Sequence, residues 1–96
     1  MSTTGVKILV VDDEPPIRKL LRVGLGTQDY TVIEAPAAKP ALVIARAEKP
    51  DLILLDLGLP DMAGHDLLAA WRAEGLQVPV IILSSRTDEA GIVKAL

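Results

Sequence analysis

Four short, mostly apolar runs separated by helix-length segments constrain the fold of this chain more than any other feature. The runs cover residues 7–11, 30–34, 51–55 and 78–83, and apolar side chains recur at helical spacing at 16–26, 37–48 and 64–74. The first and third runs are apolar on both faces, as in strands buried on both sides of a parallel sheet. Such strands alternating with helices predict right-handed crossovers and an α/β fold, a doubly wound parallel sheet.

Prolines and glycines mark the predicted ends of the helices. Pro16 is suited to the first turn of the first helix, and Gly26 is a stop signal for it. Pro40 must lie in the first turn of the second helix, or that helix starts there. Residues 88–96 are predicted to begin a fourth helix that the chain does not complete.

Composition indicates a small globular protein and excludes several kinds of function. The 96 residues suit one domain, half of them are hydrophobic, and the formal net charge is −3. The lack of cysteine and the single histidine, His65, exclude a disulfide scaffold, a thiol nucleophile and a histidine-based metal site. Lys and Arg are scattered along the chain and form no basic stripe that could bind a nucleic acid. No segment resembles a membrane span or a signal peptide. We therefore expect a soluble, cytoplasmic protein without a membrane partner.

Acidic residues follow directly on two of the predicted strands. Asp12 and Asp13 come after the first strand, and Asp56 comes after the third. Ligands of open α/β sheets bind beyond the carboxyl ends of the strands where strand order reverses, so the three carboxylates would converge if these strands are neighbours. Like charges held together need a cation, and an all-oxygen ligand set favours Mg²⁺. A carboxylate beside Mg²⁺ can also act as a nucleophile toward phosphorus.

Two hydroxyl groups follow the fourth predicted strand. They belong to Ser84 and Ser85, and either could donate a hydrogen bond to a phosphoryl oxygen. Taken singly, Asp and Ser at strand ends are common as helix caps and turn residues. Their joint occurrence at the ends of three predicted strands favours a functional site over capping alone.

The motifs around these residues resemble the receiver domain of bacterial response regulators. They are V-V-D-D-E at 10–14, D-L-I-L-L-D-L-G-L-P-D-M-A-G at 51–64 and V-P-V-I-I-L-S-S-R at 78–86. The pattern is most similar to the OmpR/PhoB type of winged-helix transcription factors, and D-L-G-L-P-D favours the potassium-transport (KdpE-like) regulators among them. The resemblance covers essentially the whole chain and implies a flavodoxin-like (CheY-like) sheet with strand order 2-1-3-4.

The resemblance also implies a role for each candidate residue. Asp56 would accept a phosphoryl group from the phosphohistidine of a sensor histidine kinase. Mg²⁺ would be bound by Asp13 and Asp56, by Asp12 mainly through water, and by the backbone carbonyl of Gly58. Ser84 would hydrogen-bond the phosphoryl group and take part in a conformational switch. The chain would then be a signalling phosphoacceptor that assists its own phosphorylation, not a turnover enzyme.

The chain departs from the family pattern at its C-terminus. The family's fifth strand, with its Lys-Pro pair, and its fifth helix are missing, and Lys94 lies on the wrong element to replace that lysine. We therefore expect a single receiver domain over residues 1–96, incomplete at its C-terminus, that would bind DNA only through a missing output domain. Residues 80–83 would form a bare apolar edge, and a homodimer would form through this edge or the fourth helix.

The residues leave three other functions open. The missing lysine favours, as the main alternative, a phosphorylation-independent interaction or dimerisation module of the same fold. A haloacid-dehalogenase-type phosphatase would need a second Asp two residues after the nucleophile, where Gly58 stands. A flavin or nucleotide binder would need a phosphate-binding loop after the first strand, where the acidic residues 12–14 would repel phosphate.

Overall fold

The computed structural model describes residues 5–83 together with the backbone of residues 92–95. Strands and helices alternate up to residue 83, as predicted, and their ends differ from the predicted ones by no more than two residues. The elements are β1 Lys7–Val11, α1 Pro15–Gly26, β2 Thr31–Ala35, α2 Ala38–Glu48, β3 Leu52–Asp56, α3 Gly64–Ala73, β4 Val80–Leu83 and β5 Ile92–Ala95.

Prolines lie in the first turns of two helices, as the sequence predicted. Pro15 and Pro16 are the first two residues of α1, and Pro40 is the third residue of α2. The missing N–H of proline costs little at these positions because the first backbone donors of a helix have no partner within it. None of the helices in the described part of the chain is long and apolar enough to cross a membrane.

The sheet has the order β2-β1-β3-β4-β5, and its first four strands are parallel. The parallel order 2-1-3-4 and the α/β doubly wound fold are therefore confirmed. Strand β1 lies between β2 and β3, with Val11 opposite both Ala35 and Leu55. This register brings the carboxyl ends of β1 and β3 together at one edge of the sheet.

The central strands carry the core. Side chains of β1 and β3 alternate between the two faces of the sheet, and the apolar ones facing α2 and α3 are all buried. Ile8, Val10 and Leu54 are buried on the other face, where side chains of α1 pack. Each fully buried Leu, Ile or Val stabilises the fold by about 1.5–3 kcal/mol relative to exposure. The buried side chains of β1 and β3 therefore hold the backbone that leads into the loops at the ends of these strands.

The prediction for the C-terminal segment is wrong. Residues 92–95 form the strand β5, not a helix, and this strand pairs antiparallel with β4, with Leu83 opposite Ile92. The edge of β4 over Val80–Leu83 is therefore not bare, and it is not available for the dimer contact that we expected. An unpaired edge leaves backbone N–H and C=O groups without partners, and the β-branched pair Ile92-Val93 suits a strand.

Candidate functional site

Three carboxylates converge at the carboxyl ends of β1 and β3. Asp12, Asp13 and Asp56 each offer one oxygen, and these oxygens all lie within 4.8 Å of one another. Asp56 is the last residue of β3, and Asp12 directly follows β1, so the parallel register of the two strands sets them side by side. The topology thus produces the convergence that the sequence predicted.

The three acids differ in their surroundings. Asp12 and Asp56 are 3% and 2% exposed, whereas Asp13 is exposed. Burial raises the pKa of Asp12, and the charges of Asp56, Glu14 and Asp13 raise it further, against a backbone hydrogen bond from Glu14 that lowers it. Ionised Asp12 is therefore destabilised at this position, and a bound cation would relieve both its desolvation and the mutual repulsion.

Three hydrogen bonds hold Asp12 and the turn that it begins. Its Oδ1 accepts from the backbone N–H of Glu14 at 2.9 Å, and its own N–H donates to the carbonyl of Ala35 at 3.1 Å. Its carbonyl accepts from Nη1 of Arg18 at 2.6 Å. The backbone and carboxylate of Asp12 are thereby held in place by β2 and by the start of α1.

The loop between β3 and α3 folds back tightly on the end of β3. The N–H of Gly64 donates to the carbonyl of Leu57 at 3.1 Å, and a Cβ on Gly64 would lie 2.8 Å from the carbonyl oxygen of Asp56. Only glycine allows this close approach without a backbone shift. Gly58 is exposed in this loop, and the role of its carbonyl as a metal ligand stays a prediction.

The same loop is also attached to α2. The carboxylate of Asp61 accepts hydrogen bonds from the backbone N–H groups of Ala38 at 2.8 Å and Lys39 at 2.9 Å. These bonds lower the pKa of Asp61. The residue at the N-cap of α2, Ala37, has no side-chain acceptor, so Asp61, which is 22–23 residues beyond the two donors, caps the helix instead.

Ser84 lies outside the described residues, as does Ser85. The neighbouring Leu83, the last residue of β4, is opposite Asp56 in the sheet. The predicted contact of Ser84 with a phosphoryl group therefore stays a prediction.

Comparison with known proteins identifies the family. The model of the response regulator receiver domain matches residues 8–96. The chain belongs to this family. Its receiver fold is also that of solved receivers: response regulator TrrA from Thermotoga maritima, in complex with Mg²⁺ and BeF, superposes with a TM-score of 0.80 at 32% identity, over 85% of this chain and 71% of that chain.

Relatives of this receiver include transcriptional regulators of the KdpE group. The receiver is 48% identical over 89 residues to the transcriptional regulatory protein KdpE of Mycobacterium tuberculosis, and 44% identical over 92 residues to the KDP operon transcriptional regulatory protein KdpE of Escherichia coli. These matches cover 93% of this chain and 39% of each relative. The chain thus spans less than half the length of the regulators that it matches.

Three residues that shape the site of this receiver were not predicted from its sequence. Arg18 and Asp61 bind backbone groups from a distance, and Gly64 allows the close return of the loop. In the sequence, Arg18 is one charged residue within the first predicted helix, and Asp61 lies in the loop before the third, so neither position indicates a distant partner. The run of Gly and Pro around the loop was the available signal for Gly64, since a glycine that begins a helix after such a loop suggests a close approach.

Proposed function

We propose that the chain is the phosphoacceptor receiver of a two-component response regulator, and that Asp56 takes a phosphoryl group from the phosphohistidine of a sensor histidine kinase. The observation that carries the proposal is the cluster of Asp12, Asp13 and Asp56 at the carboxyl ends of two neighbouring central strands. This chemistry needs a nucleophile and further acids at the carboxyl end of an α/β sheet, and the cluster supplies a buried nucleophile and two further acids there.

The residues of the cluster fit a magnesium ion. All donors are oxygens, and Mg²⁺ is usually bound by one or two carboxylates with several waters retained. Asp13 and Asp56 would bind the ion directly, Asp12 mainly through water, and Gly58 through its backbone carbonyl. When bound, the ion would neutralise charge on the phosphoryl group during transfer. The raised pKa of Asp12 supports this fit, because burial and the neighbouring negative charges both disfavour its ionised form, and a cation would offset both.

In the proposed reaction, a carboxylate oxygen of Asp56 attacks phosphorus as the P–N bond to the kinase histidine breaks. The electron pair of that bond returns to the imidazole nitrogen, which takes up a proton, and an acyl phosphate remains on Asp56. Asp56 is fixed at the end of a buried strand and is 2% exposed, so its carboxylate needs little reorganisation to attack. Ser84 would donate a hydrogen bond to the phosphoryl group and pass on the change.

The partners follow from this role. The kinase acts as phosphoryl donor, and the receiver assists its own modification without turning over as an enzyme. We propose that residues 1–96 form one receiver domain in the cytoplasm, and that DNA binding belongs to an output domain and not to these residues. The similarity to KdpE proteins, whose names describe transcriptional regulation, supports that assignment. The similar TrrA receiver forms a complex with Mg²⁺ and BeF, which supports the proposed ligands.

The proposal is tested by incubating the chain with acetyl phosphate and Mg²⁺ and measuring the intact mass. We expect the mass of one phosphoryl group to be added to the wild type and no addition to Asp56→Asn or in excess chelator. Asp29→Asn is a matched control, because Asp29 is exposed and lies just before the amino-terminal end of β2, away from the acidic cluster. This variant should be modified like the wild type. Absence of modification in a folded wild type would instead favour the phosphorylation-independent interaction module.

A further inference from the structure

Arg18 connects α1 to the acidic turn. Its Nη1 donates to the backbone carbonyl of Asp12 at 2.6 Å, and its Nε donates to Oε1 of Glu34 on β2 at 3.2 Å. The side chain of Arg18 is 17% exposed and that of Glu34 is 25% exposed, so this ion pair is less screened by solvent than a surface pair. One guanidinium therefore joins α1, β2 and the end of β1.

We propose that Arg18 is a positioning residue for the metal site, holding the Asp12–Asp13 turn in the geometry that binds Mg²⁺. The inference rests on the proposed function, because it assigns a role toward the same ion. The turn needs such support: the N-cap residue of α1, Glu14, makes no side-chain capping hydrogen bond, and the repulsion among the three acids acts to open the turn.

The shape of the guanidinium matters as well as its charge. Arginine presents donors in a rigid fork, so one side chain can bind a carbonyl and a carboxylate at the same time. Lysine has the same charge but a single ammonium group on a flexible stem. A role in positioning therefore requires the fork of Arg18, whereas a role in general charge compensation requires only a cation.

Arg22 provides a matched control one turn along α1. It binds the same carboxylate, with Nη1 at 2.8 Å from Oε2 of Glu34, and its side chain is 51% exposed. Among the contacts of residues 5–83, Arg18 binds Asp12 and Arg22 does not. Substituting either arginine removes one positive charge and one ion pair with Glu34, but only one of the substitutions releases the turn.

The test measures the dissociation constant of Mg²⁺ by calorimetry for the full chain and the variants Arg18→Ala, Arg18→Lys and Arg22→Ala. Loss of a group that orients a metal ligand typically costs 10–100-fold in affinity, and we expect about a tenfold increase in Kd for R18A. R22A should change Kd by less than about twofold, as expected for an exposed pair. R18K should lie nearer to R18A than to the wild type.

A second measurement works without any metal. The Glu14 N–H, which donates to the carboxylate of Asp12, should exchange with solvent faster in R18A than in R22A. Far-UV circular dichroism and the fluorescence of Trp71 establish that both variants are folded.

Equal Kd values for R18A and R22A, or a Kd for R18K equal to that of the wild type, would overturn the positioning role. If the wild type itself binds no Mg²⁺, the proposed function fails, and the amide exchange of Glu14 still decides whether Arg18 holds the turn.

Discussion

The two faces of the sheet are packed to different degrees. On the face covered by α2 and α3, Leu67 and Trp71 are fully buried, and the small side chains of Ala41 and Ala45 pack against the strands. On the face covered by α1, no residue of that helix is fully buried, and Leu20 is 67% exposed. Helices α2 and α3 share their face and contact each other, whereas α1 is the one helix of the described residues on its face, so no neighbouring helix covers its flanks.

The acidic site joins these two faces. Asp12 and Asp13 lead into α1 on the loosely packed face, whereas Asp56 leads through a tight loop into α3 on the densely packed face. The proposed phosphoacceptor is therefore held by core packing, and the turn that would bind the metal is held by a few polar contacts. We expect the free energy of unfolding to depend mainly on the face covered by α2 and α3. The affinity for the metal should depend mainly on the face covered by α1.

The largest effect is expected from Leu67→Ala on the dense face. Truncating a fully buried leucine leaves a cavity and costs about 2–5 kcal/mol. The same substitution at the exposed Leu20 should change the free energy of unfolding by about 0.5 kcal/mol or less. Urea unfolding followed by the fluorescence of Trp71 measures both, and similar losses at the two positions would contradict the difference between the faces.

Removing the charge of Asp12 should separate folding from metal binding. Burial raises the pKa of Asp12, so its stabilising contribution is present at low pH and is lost as the pH rises through the raised value. Asp12→Asn should therefore unfold at higher urea than the wild type near neutral pH in chelator.

In the presence of Mg²⁺, the wild type should instead be more stable than D12N. Mg²⁺ at a hundredfold excess over Kd stabilises a protein by about 2.7 kcal/mol, and D12N should lose most of this gain. An equal gain from Mg²⁺ in the variant and the wild type would show that Asp12 does not contribute to binding.

Replacing glycine with alanine should lower the stability on the face covered by α3 and raise it on the face covered by α1. Gly64→Ala would place a Cβ 2.8 Å from backbone atoms of Asp56 and Leu57, and such overpacking costs about 1–3 kcal/mol. Gly24→Ala, in the interior of α1 with open space around it, should stabilise by about 0.5–1 kcal/mol through helix propensity. Thermal denaturation of both variants gives the two signs; a neutral Gly64→Ala would mean that the loop can yield.

The smallest effect concerns the cap that Asp61 provides for α2. Because backbone N–H donors lower its pKa, the stabilisation by Asp61 is fully present above the ordinary value of 3.8 and is lost as the pH falls through the lowered one. Asp61→Ala should lower the urea midpoint at neutral pH and show less of this acid-dependent loss. Asp61→Asn, which keeps an acceptor, should retain more stability at neutral pH; equal midpoints for all three proteins would argue against the cap.

Sequence patterns predicted most of the fold and the position of the site. Apolar periodicity located the strands and helices to within two residues, and the switch-point rule brought together acids that are 43 residues apart, Asp13 and Asp56. Both follow from properties that are local in sequence, namely side-chain period and the residue type at the end of a strand. The role of each acid in phosphoryl transfer is still a proposal.

Tertiary structure decided the rest. The antiparallel pairing of Ile92–Ala95 with β4, the Asp61 cap on α2 and the contact of Arg18 with Asp12 join residues whose local patterns give no sign of their partners. Each satisfies backbone N–H or C=O groups that an edge strand, a helix start or a turn leaves open. Such a group accepts any donor or acceptor that the fold brings within reach, so the packed chain and not the local sequence selects which one it is.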